Sequence, residues 1–175
     1  MKTTFILGGA RSGKSTYAVD LANKLESGIR EPKTAFVATC SYFDEEMKER
    51  ISLHRKERPE HWETFEEFYD LAALLENIAD RFDVVIIDCL TLFISGLLLE
   101  DSDEAVITAR IEALFQLDNN SCNLIIVSNE VGLGMHPNNR LGRDFRDIAG
   151  RINQLVAHKS EEVYFMVAGL PMKIK

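Results

Sequence analysis

Apolar residues follow two rhythms along this chain. Phe5–Leu7, the run "FDVVIIDCL" (82–90) and the run "NLIIVSNE" (123–130) are short, unbroken and rich in β-branched residues. Such runs suit strands buried on both faces of a parallel sheet. From Ser15, by contrast, Tyr17, Ala18, Leu21, Ala22 and Leu25 recur three and four positions apart, as do Phe68, Leu71, Leu74, Leu75 and Ile78. That spacing predicts two amphipathic helices. "TAFVAT" (34–39) and "EEVYFMVAG" (161–169) add two more strands, and "PMKIK" at the end a short edge strand of undetermined direction. A mixed basic and acidic helix is expected over 140–154. Strands alternating with helices imply an α/β fold: a mostly parallel central sheet with helices on both faces.

The totals narrow the function. At 175 residues, the expectation is a single domain over 1–175 with one sizeable core. A net charge of −8 argues against a nucleic-acid or anionic-membrane binder, although a local basic patch can still hold a phosphate. Cys40, Cys89 and Cys122 are odd in number and widely spaced, which predicts buried thiols rather than disulfides or a zinc site. The N-terminal apolar run leads into a glycine loop instead of a cleavage site, and no run reaches the length of a membrane span. A cytoplasmic protein is expected.

The glycine loop carries the clearest chemistry. "GGARSGKS" (Gly8, Gly9, Ala10, Arg11, Ser12, Gly13, Lys14, Ser15) fits the phosphate-loop spacing G-x-x-x-x-G-K-S/T, and it sits between a predicted strand and a predicted helix. Backbone N–H groups of such a turn cradle phosphates, and the helix N-terminus adds positive potential. Lys14 reaches the outer phosphates, and the Ser15 hydroxyl is placed for Mg²⁺. Asp88, closing "VVIID", is the candidate second carboxylate at the metal, with Glu130 at the end of the next strand as runner-up. No Asn-Lys-x-Asp guanine-reading element is present.

"ISLHRKERPEHWET" (51–64) poses a different question. If 44–57 is helical, Arg50, His54 and Arg58 share one face, and Pro59 ends the helix near Arg58. Neighbouring cations keep an imidazole neutral, and a neutral imidazole nitrogen can attack phosphorus. From the residues alone His54 reads first as part of a solvated charged face, ahead of a phosphate contact or a nucleophile. His61, beside Trp62, is expected to pack.

Taken together, "GGARSGKS", "ATCSYFDEEMKERISLHRKERPEHWETFE", "IIDCLTLF", "SNEVGLGMHPNNRLGRDFRDIAGRINQ" and "GLPMKIK" resemble the bifunctional adenosylcobinamide kinase/adenosylcobinamide-phosphate guanylyltransferase family of cobalamin biosynthesis. The resemblance runs over essentially the whole chain. It implies a RecA-like P-loop fold and two reactions: phosphorylation of the aminopropanol hydroxyl of adenosylcobinamide by ATP or GTP, then transfer of GMP from GTP to that phosphate. It implies that His54 carries the guanylyl group, flanked by Arg55, Lys56, Glu57 and Arg58. It also matches Ala38, Thr39, Cys40, Glu66 and Asp88 to nucleotide-binding positions, and it implies a trimer. The chain departs from the family pattern at Cys40, where a small or hydroxyl residue is expected, and at Leu53, where some relatives have a second histidine. It departs again at His136, in place of an aliphatic residue, and at Asp88, which is Glu in some members. Two other readings stay open: a plain P-loop small-molecule kinase, and a RecA-like nucleotide-dependent binding module.

Overall fold

The computed structural model describes residues 2–39, 58–117, 122–134 and 137–175. Its strands are β1 (Lys2–Gly8), β2 (Thr34–Ala38), β3 (Glu63–Glu66), β4 (Val84–Asp88), β5 (Asn123–Asn129), β6 (Glu162–Val167) and β7 (Leu170–Lys173). Its helices are α1 (Lys14–Glu26), α2 (Leu71–Ile78), α3 (Leu90–Leu99), α4 (Glu104–Ala113) and α5 (Arg140–Lys159). Among the described residues the strands form one seven-stranded sheet in the order β3-β2-β4-β5-β1-β6-β7. Every pairing is parallel except β6 with β7, where the tail expected at the edge turns back antiparallel.

Side chains alternate across a strand, so parity assigns each one to a face. Val84, Ile86, Ile125, Val127 and Ile6 point to the side covered by α1, through Ala18 and Ala22, and by Trp62. Val85, Ile87, Leu124, Ile126 and Phe5 point to the opposite side, where α2 to α5 supply Leu71, Leu75, Phe93, Leu97, Ile107, Ile111 and Ile152. Each such aliphatic or aromatic side chain, fully removed from water, contributes about 1.5–3 kcal/mol.

The elements found but not expected have readable reasons. β3, "ETFE", is only four residues long and half exposed, so it shows no apolar run. α3, "LTLFISGLLL", is apolar nearly all round and has no polar face to mark a helix. α4 starts at Asp103, whose side chain accepts from Val106 N at 2.9 Å, a cap worth about 1 kcal/mol. The helix considered over 44–57 lies outside the described residues.

Chain direction then opens a crevice. From β1 the chain crosses through α1 to β2 on one side; from β5 it crosses through α5 to β6 on the other, on the opposite face of the sheet. Such a reversal leaves a gap at the carboxyl ends of the parallel strands, the usual ligand position in open α/β sheets.

Candidate functional site

Gly8 ends β1 at that crevice. A Cβ there would stand 2.7 Å from Ser12 Oγ and 2.9 Å from the Met166 carbonyl, so the tight approach admits only glycine. Arg11 (φ 55°) and Gly13 (φ 90°) take left-handed backbone and fold the loop over the start of α1, whose first helical bond runs from Tyr17 N to Gly13 O at 2.9 Å. The loop is braced from outside. Gly169, in the β6–β7 turn, donates its N–H to the Ser12 carbonyl at 3.0 Å. Ser12 Oγ is itself buried without a partner among the described residues.

Lys14 is only 7% exposed and folds back to donate from Nζ to the Gly9 carbonyl at 2.5 Å. Burial pulls its pKa below the ordinary lysine value, while Cys89 and the Asp88 carboxylate beside it pull the other way. At the second residue of the helix, Ser15 Oγ donates to Asp88 Oδ2 at 2.7 Å. This contact spans the sheet, since β5 lies between β1 and β4. Asp88 reaches it because it shares the parity of Val84 and Ile86, which places it on the α1 face.

Register gathers further candidates on the same rim. Asp88 sits beside Ala38, and Ala38 beside Glu66, at the carboxyl ends of β4, β2 and β3. Thr39 is buried and donates its hydroxyl to the Cys89 carbonyl at 2.7 Å, tying β2 to the turn after Asp88. Burial pushes the Cys89 thiol up to about 12, so it stays protonated and inert. Glu130 is turned into its own loop: its N–H donates to Gly8 O at 2.9 Å and its carboxylate accepts from Gly132 N at 2.6 Å.

Arg58 stands over the Phe36 ring at 3.4 Å, and its Nη1 lies 3.4 Å from Thr64 Oγ1. It is therefore stacked on the α1 face beside the rim. Cys40, His54, Arg55, Lys56 and Glu57 lie outside the described residues, as does His136. Past Arg58, the chain is fastened at Glu26. Trp62 Nε1 donates to Glu26 Oε1 at 2.8 Å, His61 Nε2 lies 3.3 Å from Glu26 Oε2, and Thr34 donates to the same carboxylate. His61 meets Trp62 edge to face, as its place in the sequence suggested. The buried role of Glu26 carried no sequence signal, because its partners are distant in the chain or have no fixed spacing.

Ser15 and Asp88 supply a hydroxyl and a carboxylate 2.7 Å apart next to a phosphate loop. That hard-oxygen pair fits Mg²⁺, which takes one or two protein oxygens and completes its shell with water and phosphate. Among the described residues no three His, Cys, Asp or Glu side chains gather into a metal cage.

Comparison with known proteins identifies the family. The family model described as cobinamide kinase / cobinamide phosphate guanyltransferase matches residues 4–174. The chain is 44% identical over 170 residues to the bifunctional adenosylcobalamin biosynthesis protein CobP of Pseudomonas aeruginosa, covering 97% of this chain and 95% of the relative. It is 37% identical over 183 residues to the bifunctional adenosylcobalamin biosynthesis protein CobU of Escherichia coli K12, covering 97% and 98%. The protein of the same name from Salmonella typhimurium is 36% identical with the same coverage. A phosphate loop joined to an acid across a parallel sheet, in a chain matched from end to end, makes this protein a member of the cobinamide kinase / cobinamide phosphate guanyltransferase family.

Proposed function

We propose that this chain catalyses both reactions of its family's name. In the first, the aminopropanol hydroxyl oxygen of adenosylcobinamide attacks the γ-phosphorus of ATP or GTP. The hydroxyl proton is lost and the nucleoside diphosphate leaves. In the second, a nitrogen of His54 attacks the α-phosphorus of GTP, and pyrophosphate leaves with the bridging oxygen. A phosphate oxygen of adenosylcobinamide phosphate then displaces His54 from the guanylyl group, giving adenosyl-GDP-cobinamide.

The observation that carries this reading is the Ser15–Asp88 contact beside buried Lys14, at the carboxyl ends of parallel strands. Gly8 to Ser15 hold the phosphates through backbone N–H groups, and Lys14 meets charge on the outer phosphates with little water to screen it. Ser15 and Asp88 would hold Mg²⁺, which when bound offsets phosphate charge. Ala38, Thr39, Cys40, Glu66 and Asp88 line the nucleotide side. Arg55 to Arg58 flank His54, and the cations among them, Arg55, Lys56 and Arg58, steady the departing pyrophosphate. A cytoplasmic homotrimer belongs to the same proposal, supported by the family resemblance; sedimentation of the purified protein tests the assembly. Among the described residues no helix is long and apolar enough to cross a membrane.

The test is covalent capture. Wild type and His54→Ala are incubated with Mg²⁺ and α-labelled GTP, then denatured. The expected result is acid-labile, alkali-stable label on wild type alone, as a phosphoramidate requires. Wild type that binds GTP and phosphorylates adenosylcobinamide without retaining label would instead be a plain P-loop kinase.

A further inference from the structure

Behind the rim, on the face away from α1, lies a closed polar ring. Asn129 N donates to Thr91 Oγ1 at 2.6 Å, and Thr91 Oγ1 lies 3.1 Å from Ser128 Oγ. Ser128 Oγ donates to Asn153 Oδ1 at 2.8 Å, and Asn153 Nδ2 donates to the Asn129 carbonyl at 3.1 Å. Thr91, Ser128 and Asn153 are 4%, 1% and 4% exposed, so water does not compete.

The protons of the ring can be assigned. The Asn129 carbonyl only accepts, so Asn153 must present its NH₂ there and its oxygen to Ser128. Ser128 has one hydrogen, which goes to that oxygen. The Asn129 N–H only donates, so Thr91 accepts it and passes its own hydrogen to Ser128. Every donor meets an acceptor, and the arrangement has a single sense of rotation. A fully satisfied network in a dry setting is stiff, and a partly satisfied one is costly.

The ring joins pieces that the chemistry needs in register. Thr91 lies just beyond Asp88, at the start of α3, and the Thr39 hydroxyl bonds the Cys89 carbonyl between them. Asn129 ends β5, and the next N–H, of Glu130, donates to Gly8 O at the head of the phosphate loop. Asn153 brings in α5, which packs on the same face as the ring. Asn153 meets the last residue of β5, while Ile148, Ala149 and Ile152 before it pack α5 into the core.

We propose that Thr91, Ser128 and Asn153 are positioning residues for phosphoryl and guanylyl transfer, fixing Asp88 and Gly8 relative to each other through the ends of β4 and β5. This rests on the reading of Gly8–Ser15 and Asp88 as the nucleotide and metal site. Misplacement by about 1 Å at such a site is enough to cost about a hundredfold in rate.

The test compares Thr91→Val, which keeps shape and removes the hydroxyl, with Thr91→Ser, which keeps the hydroxyl. Asn153→Ala is the independent second variant. Steady-state kcat and KM for GTP in transfer to adenosylcobinamide phosphate are measured below each variant's melting temperature, alongside the melting curve. The expected result is a kcat lowered about ten- to hundredfold in Thr91→Val and Asn153→Ala, a KM within about threefold of wild type, and recovery in Thr91→Ser. Variants that melt earlier yet keep wild-type kcat would reduce the ring to a stability element and overturn the proposal. If Thr91→Val does not fold, Asn153→Ala decides in the same way. Wild type without transfer activity would count against the proposed function instead, so the two failures are distinguishable.

Discussion

The two faces of the sheet are covered in different ways. On one, α1 is the single helix among the described residues, approaching through Ala18 and Ala22, and that face carries buried Lys14, buried Glu26 and the Ser15–Asp88 contact. On the other, α2 to α5 pack large side chains such as Leu75, Phe93, Leu97 and Ile111, with little polar beyond the Thr91–Ser128–Asn153 ring. The thin covering lets a helix N-terminus and its lysine come close to where phosphates bind. The thick covering supplies the larger of the two apolar clusters among the described residues. Chemistry and stability are thus divided by strand parity, one residue to each side.

Substitutions at the extremes should separate the two roles. Lys14→Ala is expected to lower kcat/KM about 10²–10³-fold in both transfers, while the melting temperature stays near wild type or rises. Parallel assays of both reactions with a thermal melt check this, and a collapse in stability would break the division. Leu97→Ala on the thick face should do the reverse. It should cost about 2–5 kcal/mol in urea titration, with kcat within about twofold of wild type at a temperature where the variant is folded.

Glu26 sharpens the comparison because it stabilises from the thin face. Glu26→Ala strands Trp62 Nε1 and the Thr34 hydroxyl, an expected loss of about 1–3 kcal/mol. Glu26→Gln keeps an acceptor oxygen and should lose less, as chemical denaturation would show.

A smaller effect follows from pH. Burial lowers the Lys14 pKa in the folded state below 10.5, so the folded chain releases this proton before the unfolded chain does. Between those two values the unfolded state holds more protons, and this group's contribution to stability rises with pH. The stability gap between Lys14→Met and wild type should therefore narrow as pH climbs toward 10.5, while GTP affinity of wild type falls. A gap that widens would reverse the sign of the burial effect. Least affected should be Lys173→Ala at the sheet edge. Its 3.1 Å pair with Glu162 is half exposed and worth less than about 1 kcal/mol by double-mutant cycle.

What could be read from the sequence divides along similar lines. The phosphate loop was legible because its residues are contiguous and stand between two periodic segments. β4 and β5 were legible because burial on both faces leaves unbroken apolar runs, and Asp88 stood out as the acid ending one of them. α3 was not, since a helix buried nearly all round shows no polar stripe. β3 was too short, and only its register beside β2 reveals that Glu66 reaches the rim. The Glu26 anchor and the Thr91–Ser128–Asn153 ring join residues far apart in the chain through single hydrogen bonds, which leave no spacing to find. Arg58 was grouped with His54 by helical spacing; Arg58 stacks on Phe36, and His54 lies outside the described residues.

The place of β1 also governs how the site comes into being. Its neighbours on both sides are β5 and β6, so among the described residues this strand pairs only with strands more than a hundred residues further along the chain. Until those strands are in place its backbone edges stay unpaired, and Gly8 has neither Glu130 nor Met166 against it. Contacts this distant in sequence are slow to close. The nucleotide pocket is therefore among the last parts of the molecule to mature, and GTP added during refolding should bind only in the final kinetic phase.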